Sequence, residues 1–213
     1  MSAFPTSVGN DLVMDMVKVI QKNKEYLGEI DGAIGDGDHG VNMNKGFTFY
    51  AERHGAEAAD VPTAFKNLSQ ILMGEIGGSM GPIYGKFFRG IFRAAKGHDP
   101  IDAPVFLQML KDARDGVADI GEAKQGDKTL MDTLIPAVDA FETALNGGKD
   151  FAACLEAMKA AAKTGWESTK DMQAKIGRSA RLGERSIGVL DAGATSCYLI
   201  LESMADGIEV KLQ

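Results

Sequence analysis

Apolar residues return every three or four positions through almost the whole chain. Leu12, Met16, Val19 and Ile20 do so near the start, and Leu130, Leu134, Val138, Phe141 and Leu145 further on. This spacing gathers them on one face of a helix, whereas the two-residue alternation of a half-buried strand is almost absent. The pattern predicts eight helices, over 7–27, 41–54, 61–76, 83–96, 102–119, 129–146, 150–173 and 194–206. Phe65, Leu68, Leu72 and Ile76 stripe the third helix, and Phe106, Leu110, Ala113 and Val117 the fifth. Ala194, Cys197, Leu201 and Met204 stripe the last, so each of these helices has one face to bury. Short connections favour antiparallel neighbours, hence an all-α, up-and-down bundle. With 213 residues, 45% hydrophobic, and no repeat or proline-rich linker, the expectation is one domain over 1–213.

The residues that do not fit the helical pattern collect in four connections: "DGAIGDGDHG", "GGSMGP", "AKQGDKT" and "KIGRSARLGERSIGVLDAG". They follow the first, third, fifth and seventh predicted helices. If helix directions alternate, connections separated by two helices fall at the same end of the bundle. All four therefore share one rim, and glycine-rich charged loops on the rim of a rigid scaffold describe a binding site.

The first connection brings Asp31, Asp36 and Asp38 together among Gly32, Gly35, Gly37 and Gly40. Asp36 and Asp38 can face one centre, and Asp31 can join them by folding back across the Gly32 to Gly35 turn. Hard oxygen donors without cysteine point to Mg²⁺, Mn²⁺ or Ca²⁺ rather than zinc. Mg²⁺ takes one or two carboxylates, so three suit two ions sharing them. A solvated aspartate-rich turn capping a helix is the plain alternative. The run lacks the ligand order of an EF-hand, and "QKNKEYLGEI" before it is no strand to deliver an aspartyl nucleophile. A second helix starting near Val41 or Asn42 would turn free N–H groups toward an anion. His39, beside Asp38, is open as ligand, base or phosphate contact.

Charge sharpens this picture. The formal net charge is −7 and the pI about 5.0, so the surface as a whole repels nucleic acid and anionic membranes. A phosphate ligand would need metal ions or a local basic cluster. Lys175, Arg178, Arg181 and Arg185 in the fourth connection form such a cluster, read as a cationic clamp. "QGDKT" lacks the spacing and the preceding strand of a P-loop; Asp127 or Thr129 suits a helix cap as well as a ligand contact. "GGSMGP" reads either as a helix stop and restart or as phosphate or base packing, with Pro82 in the first turn of the fourth helix. Asp191 and Gly193 serve equally as a cap or a polar contact. Trp166 lies on an apolar stripe and reads as core. Cys154 and Cys197 read as core thiols in a reducing compartment. "MSAFPTSVGNDLVMDMVK" shows no secretory pattern and no run reaches membrane-spanning length, so the expected location is the cytoplasm.

Taken together, "IGDGDHGVNMNKGF", "GGSMGPIYG", "GDKTLMD" and "MQAKIGRSARLGERSIGVLDAGATS" resemble the L-subunit family of dihydroxyacetone kinases, over nearly all of the chain. The resemblance implies an antiparallel eight-helix barrel with ADP or ATP and two Mg²⁺ at one end. It implies that Asp31, Asp36 and Asp38 hold the metals. His39, Gly40, Val41, Asn42, Ser79, Met80, Gly121, Leu130, Arg178, Asp191, Ala192 and Gly193 would line the nucleotide, with Arg178 stabilising the moving phosphate. Met80 stands where relatives commonly carry a small polar residue, and Ala192 where proline is commoner. The family also implies partners: a K subunit that holds dihydroxyacetone, and an M subunit carrying phosphohistidine where ADP is a bound coenzyme. An assembly of two copies is compatible with it; nucleic acid and membrane are not expected partners. ATP-dependent members, which phosphorylate short ketoses, exchange nucleotide as a substrate. A regulatory ADP-binding module or a lipid-carrying barrel would use the same architecture.

Overall fold

The computed structural model describes residues 2–213. Nine α-helices make up about two thirds of it: α1 Gly9–Lys22, α2 Lys24–Ile34, α3 His39–His54, α4 Val61–Glu75 and α5 Met80–Ala95. They continue as α6 Ala103–Ala118, α7 Met131–Asn146, α8 Phe151–Ser168 and α9 Ala192–Glu209. Two short strands, β1 Ala3–Phe4 and β2 Ile101–Asp102, pair antiparallel. From α2 onward each helix packs on the next in sequence, and α9 closes the ring against α1. The all-α up-and-down expectation therefore holds, and the eight predicted helices correspond to nine because the first is broken. At Asn23 the backbone leaves helical geometry (φ −99°, ψ 8°) while its side-chain amide donates to the Val19 carbonyl at 2.9 Å. Beyond the break Leu27, Ile30 and Ile34 bury one face of α2, extending helix well past residue 27.

This moves Asp31. It does not reach its neighbours across a turn, as expected; it sits in the last turn of α2. Glycines at 28 and 32 weaken helix propensity by about 1 kcal/mol each, which hid this helix, yet the packing of its apolar face outweighs them. α8 likewise stops at Ser168, short of the expected 173, and the chain continues as short 3₁₀ turns over Thr169–Asp171 and Ser179–Ser186.

Two aromatic groups fill the interior. Phe47, Phe65, Tyr84, Phe87 and Phe88 form one, Phe4, Phe106, Phe141 and Phe151 the other, mostly in tilted or edge-on pairs 5.0–6.4 Å apart. Helix starts gather at both ends of the barrel. α4, α6 and α8 start at the end holding the β1–β2 pair, and Asp60, Asp102 and Asp150 cap them through side-chain bonds at 2.8–3.0 Å. α3, α5, α7 and α9 start at the other end, where Asp191 caps α9, Asp31 accepts the first N–H of α3, Thr129 accepts that of α7, and Ser79 makes no side-chain cap on α5. These N-termini lie where the four polar connections meet.

Candidate functional site

A cavity of about 280 Å³ opens at that end, lined by residues of all four connections: Asp31 and His39; Ser79 and Met80; Gly121 and Lys128; Gly177, Asp191 and Gly193. Ile83, Tyr84, Val117, Ile120, Leu130 and Ile176 supply an apolar wall. An open-mouthed, largely apolar slot with polar groups at one side suits a planar ring carrying a charged tail.

The charged side is the aspartate cluster. Asp31, Asp36 and Asp38 each offer an oxygen, all within 4.8 Å of one another. The sequence enforces this closeness. A Cβ at position 35 would stand 2.4 Å from Asp31 Oδ1, so only glycine leaves room for that carboxylate. Asp31 Oδ2 also accepts the His39 N–H at 3.2 Å, tying the end of α2 to the start of α3. Three carboxylates this close repel one another unless a cation joins them. Arg178 supplies one here, its guanidinium paired with Asp36. Oxygen donors alone fit hard divalent cations.

Beneath the cluster lies a chain of hydroxyls. Tyr84 Oη is 2.6 Å from Ser196 Oγ, and Ser196 Oγ is 2.9 Å from His39 Nε2. Burial draws the His39 imidazole down to about 4 and raises the Tyr84 phenol, so both are neutral at pH 7. His39 thus points its Nε2 at Ser196 and stands outside the carboxylate cluster. At the start of α9, the helix that carries Ser196, Asp191 Oδ2 accepts the Ala194 N–H at 2.7 Å, so Asp191 both caps α9 and lines the cavity. Burial pushes its carboxyl up to about 7; the Ala194 N–H opposes this, Asp132 adds to it, and Lys128 opposes and Asp31 adds in smaller measure.

Several expected residues take other places. Gly40 faces α2: a Cβ there would meet the Lys24 carbonyl at 1.9 Å, so close helix packing requires glycine at this position. Gly40, Val41 and Asn42 form the first turn of α3 outside the cavity lining, and Val41 is exposed. Of the four cations Arg178 alone pairs with the carboxylate cluster; Lys175 pairs with Asp127 at 3.5 Å, and Arg181 and Arg185 are exposed, as Arg178 is. Thr129 caps α7, its Oγ1 accepting the Met131 N–H at 3.2 Å, whereas Asp127 turns back to accept the Lys124 N–H at 2.8 Å. The buried Asp132 carboxylate accepts the N–H of Gly126 and, at 2.8 Å, that of Thr129, folding the turn around itself. Trp166 stacks on Tyr198 at 4.7 Å and donates to Thr195 Oγ1 at 2.8 Å, half-buried and away from the cavity lining. Tyr84 and Lys128 were not singled out from the sequence. Tyr84 carries only a helical-stripe signal, and the partners of both lie far off in the chain.

The comparisons with known proteins decide the family. The DAK2 domain model matches residues 33–206. The chain belongs to the DAK2 domain family. Among its relatives, the PEP-dependent dihydroxyacetone kinase ADP-binding subunit DhaL of Escherichia coli is 37% identical over 188 residues, covering 88% of this chain and 90% of that protein. The ADP-binding subunit DhaL of PEP-dependent dihydroxyacetone kinase 2 from Listeria innocua is 33% identical, covering 93% of each. These DAK2 relatives are kinase subunits by name. The crystal structure of the C. freundii dihydroxyacetone kinase with AMP-PNP and Mg²⁺ shares the fold, with a TM-score of 0.71 at 22% identity. That match covers 96% of this chain but 34% of the larger enzyme.

Proposed function

We propose that this chain is the nucleotide-binding subunit of a dihydroxyacetone kinase, a single-domain phosphotransferase component that works only with partner subunits. The observation that carries the reading is the juxtaposition of three carboxylate donors with a largely apolar cavity, at the end where α3, α5, α7 and α9 begin. The positive ends of four helix dipoles favour a phosphate tail, and the apolar wall of Ile83, Val117, Ile120 and Leu130 suits a base. Asp31, Asp36 and Asp38 would hold two Mg²⁺, which when bound neutralise phosphate charge. Ser79, Met80, Gly121, Ala192 and Gly193 would contact the nucleotide largely through backbone, with His39 as a neutral donor or acceptor. Arg178, on the rim, would stabilise charge spreading over the phosphoryl group in transit.

The names of the relatives support ADP as a bound coenzyme. On that reading an M-type phosphohistidine carrier recharges it in place, and a K-type subunit presents the hydroxyl of dihydroxyacetone and supplies the base. No helix among the described residues is long and apolar enough to cross a membrane, which is compatible with a cytoplasmic complex. Reconstitution tests the reading. The pure chain alone should leave dihydroxyacetone unphosphorylated, and addition of a K-type subunit, an M-type carrier and a phosphoenolpyruvate-fed donor should restore turnover. Turnover by the isolated chain, or none in the full mixture, would refute it.

A further inference from the structure

Lys128 combines two features that a chain seldom tolerates together. Among the described residues it is the only non-glycine with positive φ, at 62°, and it is 1% exposed. Left-handed backbone disfavours a residue with a Cβ, and a lysine is rarely fully buried. Strain held at one position of a site points to something the surroundings gain from it. The gain lies at the ammonium. Its Nζ donates to the carbonyls of Met172 at 3.1 Å, Ser186 at 2.6 Å and Val189 at 2.6 Å, three donors for three acceptors. All three carbonyls belong to the connection between α8 and α9, with Arg178 between the first and the other two. The same turn grips that connection once more, where the Asp127 carbonyl accepts the Lys175 N–H at 3.1 Å. Inside the loop Ser186 Oγ accepts the Ala174 N–H at 2.9 Å, so both arms meet beneath the ammonium.

We propose that Lys128 is a positioning residue: by drawing both arms of the 172–189 segment onto one ammonium, it holds Arg178 over Asp36 at the carboxylate cluster. A segment of this length would otherwise sample many conformations, and pinning its arms together removes most of that freedom. The clamp itself stands on geometry alone, while its consequence for phosphoryl transfer rests on the function proposed above.

Two variants separate clamp from fold. Lys128→Met keeps volume without donors, and Lys128→Gly also relieves the strained φ, which protects folding. Each is compared with the parent chain by thermal unfolding and by brief trypsin digestion, with cuts at Lys175, Arg178, Arg181 and Arg185 located by mass spectrometry. The clamp predicts cooperative unfolding and at least tenfold faster cutting within 172–189. In the reconstituted complex at saturating Mg-nucleotide, Lys128→Gly should lower turnover at least tenfold. Adding Arg178→Met to it should cost nothing beyond Arg178→Met alone, because both changes remove one function. Unchanged cutting in a folded variant overturns the clamp, and losses that multiply overturn its action through Arg178. The cutting assay needs no kinase partner, so it decides on the clamp even if the proposed function fails.

Discussion

Asp31, Asp36 and Asp38 gather their oxygens within 4.8 Å, close enough for a mutual repulsion that a bound cation would relieve. Replacing Asp36 or Asp38 by asparagine removes one negative charge while keeping the shape. Each variant should lose Mg-nucleotide retention by at least about tenfold with unchanged helical circular dichroism, as read by equilibrium dialysis. Undiminished retention in both would refute the metal assignment. Asp191 offers a test by pH. With its carboxyl pushed up to about 7 by burial, the folded chain binds a proton more tightly than the unfolded chain does. Stability from this group is present below about pH 4 and is lost as pH rises through 7, at up to about 1.4 kcal/mol per pH unit. Asp191→Asn retains a capping oxygen but cannot ionise, so denaturant titrations should show a shallower fall in stability from pH 5 to 8 than the parent. An identical pH dependence would show that the buried carboxyl does not titrate there. The three clustered aspartates were legible in the sequence because they lie within eight residues. Tyr84 and Ser196 were not, since the chain from Tyr84 through Ser196 to His39 depends on how distant helices pack.

At the scale of elements, direction mattered more than propensity. Helix count and alternation placed four loops on one rim, and the cavity draws residues from all four. Counting survived the break at Asn23 because α1 and α2 together replace one expected helix before the same loop. Helix ends were harder to read. Leu27, Ile30 and Ile34 keep helical spacing past Gly28 and Gly32, so the acidic run turned out to be part helix and part loop. Gly40 shows a similar limit: its value lies in the approach of α3 to α2, which spacing along one strand of sequence cannot reveal. Gly40→Ala should force these helices apart at the Lys24 carbonyl and destabilise the fold by roughly 1–3 kcal/mol. It should also weaken Mg²⁺ binding, since Asp31 ends α2 and Asp38 begins α3. Parent-like denaturation and Mg²⁺ titration curves would refute this packing role.

At the scale of the whole molecule, the proposed function asks an acidic protein of net charge −7 to hold an anion. Four helix N-termini and Arg178 beside the carboxylates provide a local exception to the overall field. Family membership and the barrel were both within reach of the sequence, since the motifs are contiguous and the apolar stripes regular. The pairing of Arg178 alone with the carboxylates was not, because Lys175, Arg181 and Arg185 are separated by the path of an irregular connection. The central claim is that the cavity holds ADP as a resident coenzyme. It is tested by denaturing the purified protein, identifying the released small molecule by chromatography and mass spectrometry, and incubating native protein with labelled ATP beforehand. The account predicts near-stoichiometric ADP and little exchange of label; release of no nucleotide, or of a lipid in its place, would contradict it.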